Sequence, residues 1–525
     1  MPPALKSKSR KSKPQLGVSF VVSARQPYVM GYEDWPNGIE WLCAAVADQY
    51  IPLLNLLNRL IVDGIEPAIG VCLNPLLCEM LADLEFAPQF QVYIQDRIDA
   101  AAANQAAFAT EGLSDQRDLA LFWQSRDTNI ARDFDQTYGG DLVGAFRELQ
   151  DKGHIELLAA PITGDRLGAM EDIRAIRGQI IQGIESYKKH FARTPHGMAV
   201  SDNAFSGGKT NARKVASGLA EEGVDYALLL ESNRPANRTE PVGPVAWTRL
   251  ADTPLIGCTT AMRSFSCQCD EAAQSFLDPA MRYYPGGHPY WRRGLPETDP
   301  SEKPFYDPTK VPESCETLAT QFIDDLYEKW NGHANAVVVA LEFPGPGAHG
   351  LWLEWNRWFY RVLRKAALNK KFQLQTGETI AAALRAKDRQ ELPAFKAPTR
   401  SAKQRNAPAN WTWRHVRECQ EAQARLVGNH GATRNPKLRQ ILEQCERELA
   451  LLQAGDWQTL LNEPAARDYA VMRFARHKHD FEHLAELASK IASGRFLSEG
   501  ERTYVARLAQ RDRCFQEISL RHWTA

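Results

Sequence analysis

LGVSFVVSARQ, residues Leu16 to Gln26, is an apolar run that stops at a cation and an amide. Leu16 to Val22 is continuous rather than alternating in polarity. That is the pattern of a strand covered on both faces, as in a parallel sheet. The same signature recurs at Ala68 to Leu73, Ile155 to Ala159, Met198 to Val200, Tyr226 to Leu230, Pro254 to Gly257 and Ala336 to Leu341. Helix-like segments separate most of these runs, for example Tyr50 to Val62 and Ala175 to Phe191. Such strand–helix alternation predicts an α/β barrel or a doubly wound sheet.

The residues just beyond each strand favour the barrel. Arg25 and Gln26 come after the first run, Asn74 after the second, Asp165 after the third, Asp202 and Asn203 after the fourth, Glu231 and Asn233 after the fifth, and Glu342 after the last. Polar side chains gathered at strand C-termini form the active face of a barrel. A polar residue that merely opens a loop is common, so the weight lies in carboxylates recurring at several strand ends. Between about Arg385 and Asn410 small, basic and Pro residues dominate, the composition of a linker or surface excursion. Beyond Trp411 the pattern is helical, with Leu438, Ile441, Leu442, Cys445, Leu449 and Leu452 on one face. The expected organisation is a disordered basic tail (1–13), a barrel (14–385), a linker (386–410) and a C-terminal helical domain (411–525).

The chain of 525 residues carries 63 Lys and Arg against 64 Asp and Glu, and nothing in that balance asks for a nucleic-acid or acidic-membrane partner. No apolar stretch is long enough to span a bilayer. The basic tail (Lys6, Lys8, Arg10, Lys11, Lys13) has no apolar segment behind it, as a secretory signal requires. The ten cysteines are scattered, and Cys267 and Cys269 have no second pair at metal spacing. Reduced thiols and a cytoplasmic protein are the expectation.

Several motifs share an order along the chain. They include Gln26-Pro27-Tyr28, Trp35-Pro36-Asn37-Gly38-Ile39-Glu40, Tyr50-Ile51-Pro52-Leu53, Asn74-Pro75-Leu76, Gly153-His154-Ile155-Glu156-Leu157, Tyr284-Pro285-Gly286, Tyr306-Asp307-Pro308 and Asp456-Trp457. This colinear set resembles the family 57 glycoside hydrolases, and their branching-enzyme subgroup in particular. The resemblance implies an incomplete TIM-like (β/α)7 barrel with a C-terminal α-helical domain. It implies retaining chemistry on α-1,4-glucans such as glycogen or maltooligosaccharides, with no metal or organic cofactor.

Retaining transfer needs two carboxyl groups about 5–5.5 Å apart, one nucleophile and one acid/base. Where the family places its nucleophilic Glu, this sequence has Asp202; where it places its acid/base Asp, alignment on His349 gives Phe343, with Glu342 just before it. The family's three pocket histidines are replaced by Arg25, Gly164 and Asn233. Two readings compete. In one, Asp202 and Glu342 form an exchanged catalytic pair. Strand alternation then demands that Glu342 face inward, and with Phe343 inward only a bulge at Pro344-Gly345 would achieve this. In the other, the barrel is a non-catalytic relative that binds glucan or regulates an enzyme of glycogen metabolism. A third possibility is an enzyme whose sugar is charged, paired with Arg25.

Gln26, Tyr28, Trp35, Asn233 and Tyr284 are the expected sugar-lining residues, and the resemblance implies that Trp411, Trp413 and Trp457 close the cleft from the helical domain. Trp352, Trp355 and Trp358 suit core packing better than a sugar platform. Tyr283, Tyr284, Tyr290 and Trp291 suit a lid or groove better than a core. His477, His479 and His483 lack a metal-site companion. Ser206-Gly207-Gly208-Lys209-Thr210 lacks the first Gly of a phosphate loop.

Overall fold

β1 (Leu16–Ala24) lies at the middle of the sheet in this computed structural model, which describes residues 15–32, 38–163, 167, 170, 172–205, 209–230, 247–250, 253–265, 273–274, 288–292, 304–333, 335–343, 352–386, 392–393 and 409–523. It pairs in parallel with β2 (Ile69–Leu73), and β2 pairs with β3 (Ile155–Leu158). On its other side β1 pairs with the last long strand, Val337–Glu342, which in turn pairs with Ala261–Ser264. A second ladder joins β4 (Gly197–Ser201), β5 (Tyr226–Leu230) and Ile256–Thr259.

The two ladders meet twice. Ala159, directly after β3, bridges Met198 in parallel, with its N–H donating to Gly197 O at 3.1 Å and its carbonyl accepting from Ala199 N at 2.8 Å. Ile256–Thr259 and Ala261–Ser264 are separated only by Thr260, so one bent strand passes the ladder from β5 to the last strand. The outcome is a ring of seven parallel strands: β1 to β5, the bent strand and the last strand. Of the barrel and the doubly wound sheet that the strand runs left open, the ring agrees with the (β/α)7 barrel that the family resemblance implied.

Local chemistry sets the connections. Asn74 caps the helix Pro75–Leu81, its side chain accepting from Leu76 N at 2.8 Å, and Asp172 caps Ile173–Phe191 in the same way. Pro52, which has no N–H to give, falls directly after the π turn Val46–Tyr50 within the continuous helical run from Ile39 to Val62, where the wider turn absorbs the missing bond. Between β2 and β3 the chain inserts a helical hairpin, Phe86–Glu111 and Ser114–Arg132, whose turn needs the positive φ of 74° at Gly112.

Val21, Cys72, Leu158, Ala199, Tyr226, Leu228 and Val338 point into the ring, and helix Gly377–Ala386 plugs one end of it with Ile380, Ala381 and Leu384. At that floor the Tyr226 ring lies where a side chain on Gly197 would meet it at 2.3 Å. Glu156, on β3, accepts the Tyr226 hydroxyl proton and, at 2.9 Å, the N–H of Glu378 in the first turn of the plugging helix. Burial pushes the Glu156 carboxyl up to about 7.

Helices Asn410–His430, Pro436–Gln453, Gly455–Leu460, Arg467–Ala492 and Glu499–Arg511 pack beside the barrel. Residues after Arg511 run back onto it as a strap. Phe515 N donates to Glu79 Oε2 at 2.9 Å, Arg513 pairs with Asp83 and Glu85, and Trp523 sits so close to Gly178 that a Cβ there would lie 2.3 Å from its ring. The basic tail and most of the expected linker lie outside the described residues.

Candidate active site

Pairing register decides which side chains face the mouth of the ring. Glu342 is aligned with Ser23 of β1, Ser23 with Cys72 of β2, and Cys72 with Leu158 of β3. Cys72 and Leu158 belong to the inner cluster, so Glu342 shares their face and points inward. Phe343 takes the opposite side. It is 5% exposed, with ring centroids 4.8 Å from Phe265 and 4.9 Å from Trp355 in the layer between ring and helices. The expectation that Glu342 faces out unless a bulge re-aims it is therefore corrected. The regular strand aims it in, because Val339, Leu341 and Phe343 are the outward set.

Arg25 extends β1 at the same rim, and its Nε lies 3.4 Å from Glu342 Oε1, both side chains being about one-quarter to one-fifth exposed (25% for Glu342, 21% for Arg25). Asp202 opens the 3-10 turn Asp202–Phe205 directly after β4. β4 leaves the ring at the same end as the last strand but three strands away around it, across the mouth. The side chains of Asp202 and Asn203 lie outside the described residues. Inside the mouth, burial pushes the Cys72 thiol up to about 12, so it stays protonated and inert at neutral pH.

The remaining candidates scatter. Gln26 is 3% exposed and sits beside the Tyr50 hydroxyl, in the layer behind the ring. Tyr28 is 1% exposed, and its hydroxyl donates to Arg511 O at 3.2 Å, so the ring belongs to the joint with the helical domain. Trp457 is wholly enclosed within that domain, its Nε1 donating to Leu451 O at 2.7 Å. As placed, neither ring offers a face to a sugar. Trp411 is 44% exposed and rests edge-on against Phe474. Trp35, Asn233 and Tyr284 lie outside the described residues, as do Gly164, Asp165, Glu231, Cys267, Cys269 and Tyr283. Trp352, Trp355 and Trp358 are core, as their spacing suggested, and Trp355 Nε1 donates to Asp48 O at 3.0 Å. Tyr290, expected in a lid, is instead fully buried and takes a hydrogen bond from Asn104.

Sequence reading missed a buried charge cluster at the joint. Glu448, His477 and Asp512 bring potential ligand atoms within 4.8 Å of one another. Their partners, however, are protons: His477 Nδ1 lies 2.9 Å from Glu448 Oε2, Tyr32 donates to Asp512 Oδ1 at 2.8 Å, and Arg511 Nε donates to Asp512 Oδ2 at 2.9 Å. Arg473 stands over the Tyr32 ring. Burial raises Glu448 to about 7 and Asp512 to about 6 and depresses His477 to about 3. A cluster already supplied with two guanidinium groups fits proton sharing rather than a cation. The signal was His477 itself, an apolar-face histidine on a long helix. His479 and His483 stack with each other, ring centroids 6.3 Å apart, and His483 also meets Tyr504 edge-on at 4.7 Å.

Residues 19–251 match glycosyl hydrolase family 57, and residues 415–523 match the C-terminal domain of 1,4-alpha-glucan branching enzyme. A 1,4-alpha-glucan branching enzyme of Thermococcus kodakarensis is 26% identical over 546 aligned positions, covering 95% of this chain and 77% of that protein. A probable 1,4-alpha-glucan branching enzyme of Mycobacterium tuberculosis is 22% identical, covering 91% and 92%. The crystal structure of a GH57-type branching enzyme from Pyrococcus horikoshii superposes with a TM-score of 0.80 at 23% identity, over 97% of each chain. The alpha-amylase AmyC of Thermotoga maritima does so at 0.78 and 20%, over 98% and 99%. The seven-stranded ring, its helical companion and these matches together support a place for the chain in glycosyl hydrolase family 57, in its branching-enzyme-like form.

Proposed function

We propose that this chain acts on α-1,4-glucan at the mouth of the ring, with Asp202 and Glu342 as the carboxyl pair for retaining glycosyl transfer. The observation that carries the reading is the inward register of Glu342 at the rim from which Asp202 also emerges. Asp202 is the nucleophile toward the anomeric carbon. Glu342 exchanges the proton with the leaving oxygen and then with the incoming sugar hydroxyl. Trp411 offers an open aromatic face, and Trp35, Asn233 and Tyr284 are further lining residues on sequence grounds.

The Arg25–Glu342 contact favours a second reading. A guanidinium beside a carboxyl group favours its anionic form, which suits holding sugar hydroxyls better than donating a proton. On that reading the barrel binds glucan, alone or with a glycogen-metabolising enzyme, and does not turn it over.

Incubating the full chain with amylose and counting new branch points separates the two. Catalysis predicts branch formation that Asp202→Asn lowers about a thousandfold or more. Retention on glycogen without product, unchanged by Asp202→Asn, establishes the binding reading instead.

A further inference from the structure

A second cavity lies outside the ring, on the flank where helices Ile51–Val62, Val311–Trp330 and Trp355–Leu368 converge. Its volume is about 360 Å³, and its polar lining is Arg59, Arg357, Arg361, Asn55 and Asn356; no acidic side chain lines it. Three guanidinium groups thus share one lining. Arg361 Nε faces Glu316 at 3.2 Å, which fixes it at the rim. Arg59 and Arg357 are exposed and form no carboxylate ion pair among the described residues. Arg59 is held over the Tyr360 ring at 4.7 Å, and the Tyr360 hydroxyl is anchored by Asp63. The forks are thus positioned without being neutralised. Two helices, of 20 and 14 residues, also begin here, with Pro312 and Asn356 in their first turns. Their positive dipole ends add to the field of the arginines.

The cavity continues into a neighbouring one of about 420 Å³ that shares Pro52, Asn55, Asn356 and Arg357. That part changes character. Ser125, Asn129, Asp133 and Glu354 line it beside Phe122, and its one further cation, Arg126, is already paired with Asp48 and Asp127. Sugar hydroxyls suit such a lining, while a phosphate dianion suits only the arginine end.

We propose that this groove binds a phosphorylated sugar, phosphate on Arg59 and Arg357, sugar ring toward Asn129 and Asp133. The site is separate from the ring mouth and does not depend on whether the mouth turns glucan over.

Calorimetric titration of the full chain with glucose 1-phosphate, inorganic phosphate and glucose tests it. Glucose 1-phosphate should bind saturably and more tightly than inorganic phosphate. The exposed double variant Arg59→Ser/Arg357→Ser should weaken it at least tenfold with an unchanged melting temperature. In the unaltered protein, raising sodium chloride from 50 to 500 mM should weaken binding, as screening requires. No saturable binding of glucose 1-phosphate, or equal affinity in the double variant, overturns the site. Equal affinity for inorganic phosphate and the ester removes the sugar half of the assignment.

Discussion

Among the described residues the two ends of the ring each hold one inward glutamate, and their surroundings differ. At the floor Glu156 is 6% exposed, accepts a tyrosine hydroxyl and a helix N–H, and lies under a plugging helix. At the mouth Glu342 is about one-quarter exposed and faces a guanidinium at 3.4 Å. The floor carboxyl is enclosed by groups that fix the fold, and water cannot reach it. The mouth carboxyl is fixed just as firmly by strand register, yet it stays open to solvent. One architecture therefore uses the same type of side chain to close itself at one end and to leave a carboxyl group open to solvent at the other. The difference is what lies beyond the strand ends.

The contrast is sharpest if the floor is broken first. Glu156→Ala should leave the Tyr226 hydroxyl and the Glu378 N–H without their buried partner and cost about 3 kcal/mol, read by urea denaturation. Glycogen retention by the folded fraction should be unchanged. A loss of binding in step with stability would mean that floor and mouth are one coupled unit. Glu342→Gln should do the converse: stability within about 0.5 kcal/mol of the parent, but glucan turnover, or affinity if the barrel only binds, down by roughly a hundredfold.

The floor also carries a pH signature. The Glu156 carboxyl titrates at about 7 in the folded chain, against an ordinary value of 4.5. The native state therefore binds the proton more tightly than the unfolded one, and this residue's contribution to stability is full below 4.5 and is lost as pH rises through 7. Comparing the parent with Glu156→Gln by thermal unfolding, the difference should shift by about 1–2 kcal/mol between pH 5 and 7. The comparison removes the like-signed contributions of Glu446, Glu448 and Asp512, which burial also raises. The smallest effect belongs at the outer edge of the mouth reading. Trp411→Ala should reduce retention on glycogen a few-fold with no change in melting temperature, since the ring is half exposed. Unaltered retention would place the sugar-binding surface elsewhere on the rim.

The sequence alone determined the number and order of the ring strands, because a strand buried on both faces must be apolar throughout and cannot be mistaken for its surroundings. Tyr226 to Leu230 was legible to the residue and most of the others to within two, but the second half of the bent strand, Ala261–Ser264, was not foreseen. It also determined that acidic residues follow the fourth and last strands. It could not say which way Glu342 faces. Val337 to Leu341 is apolar at every position, so alternation leaves no polar mark to tell inside from outside. Only pairing with Ser23, and through it with Cys72 and Leu158, decided that. The same limit explains Tyr28, Tyr290 and Trp457. An aromatic residue has one composition whether it stacks on a sugar or fills a core. What chooses between the two is the surface brought against it by distant parts of the chain, and that contact exists only once the ring has closed and the helices have docked.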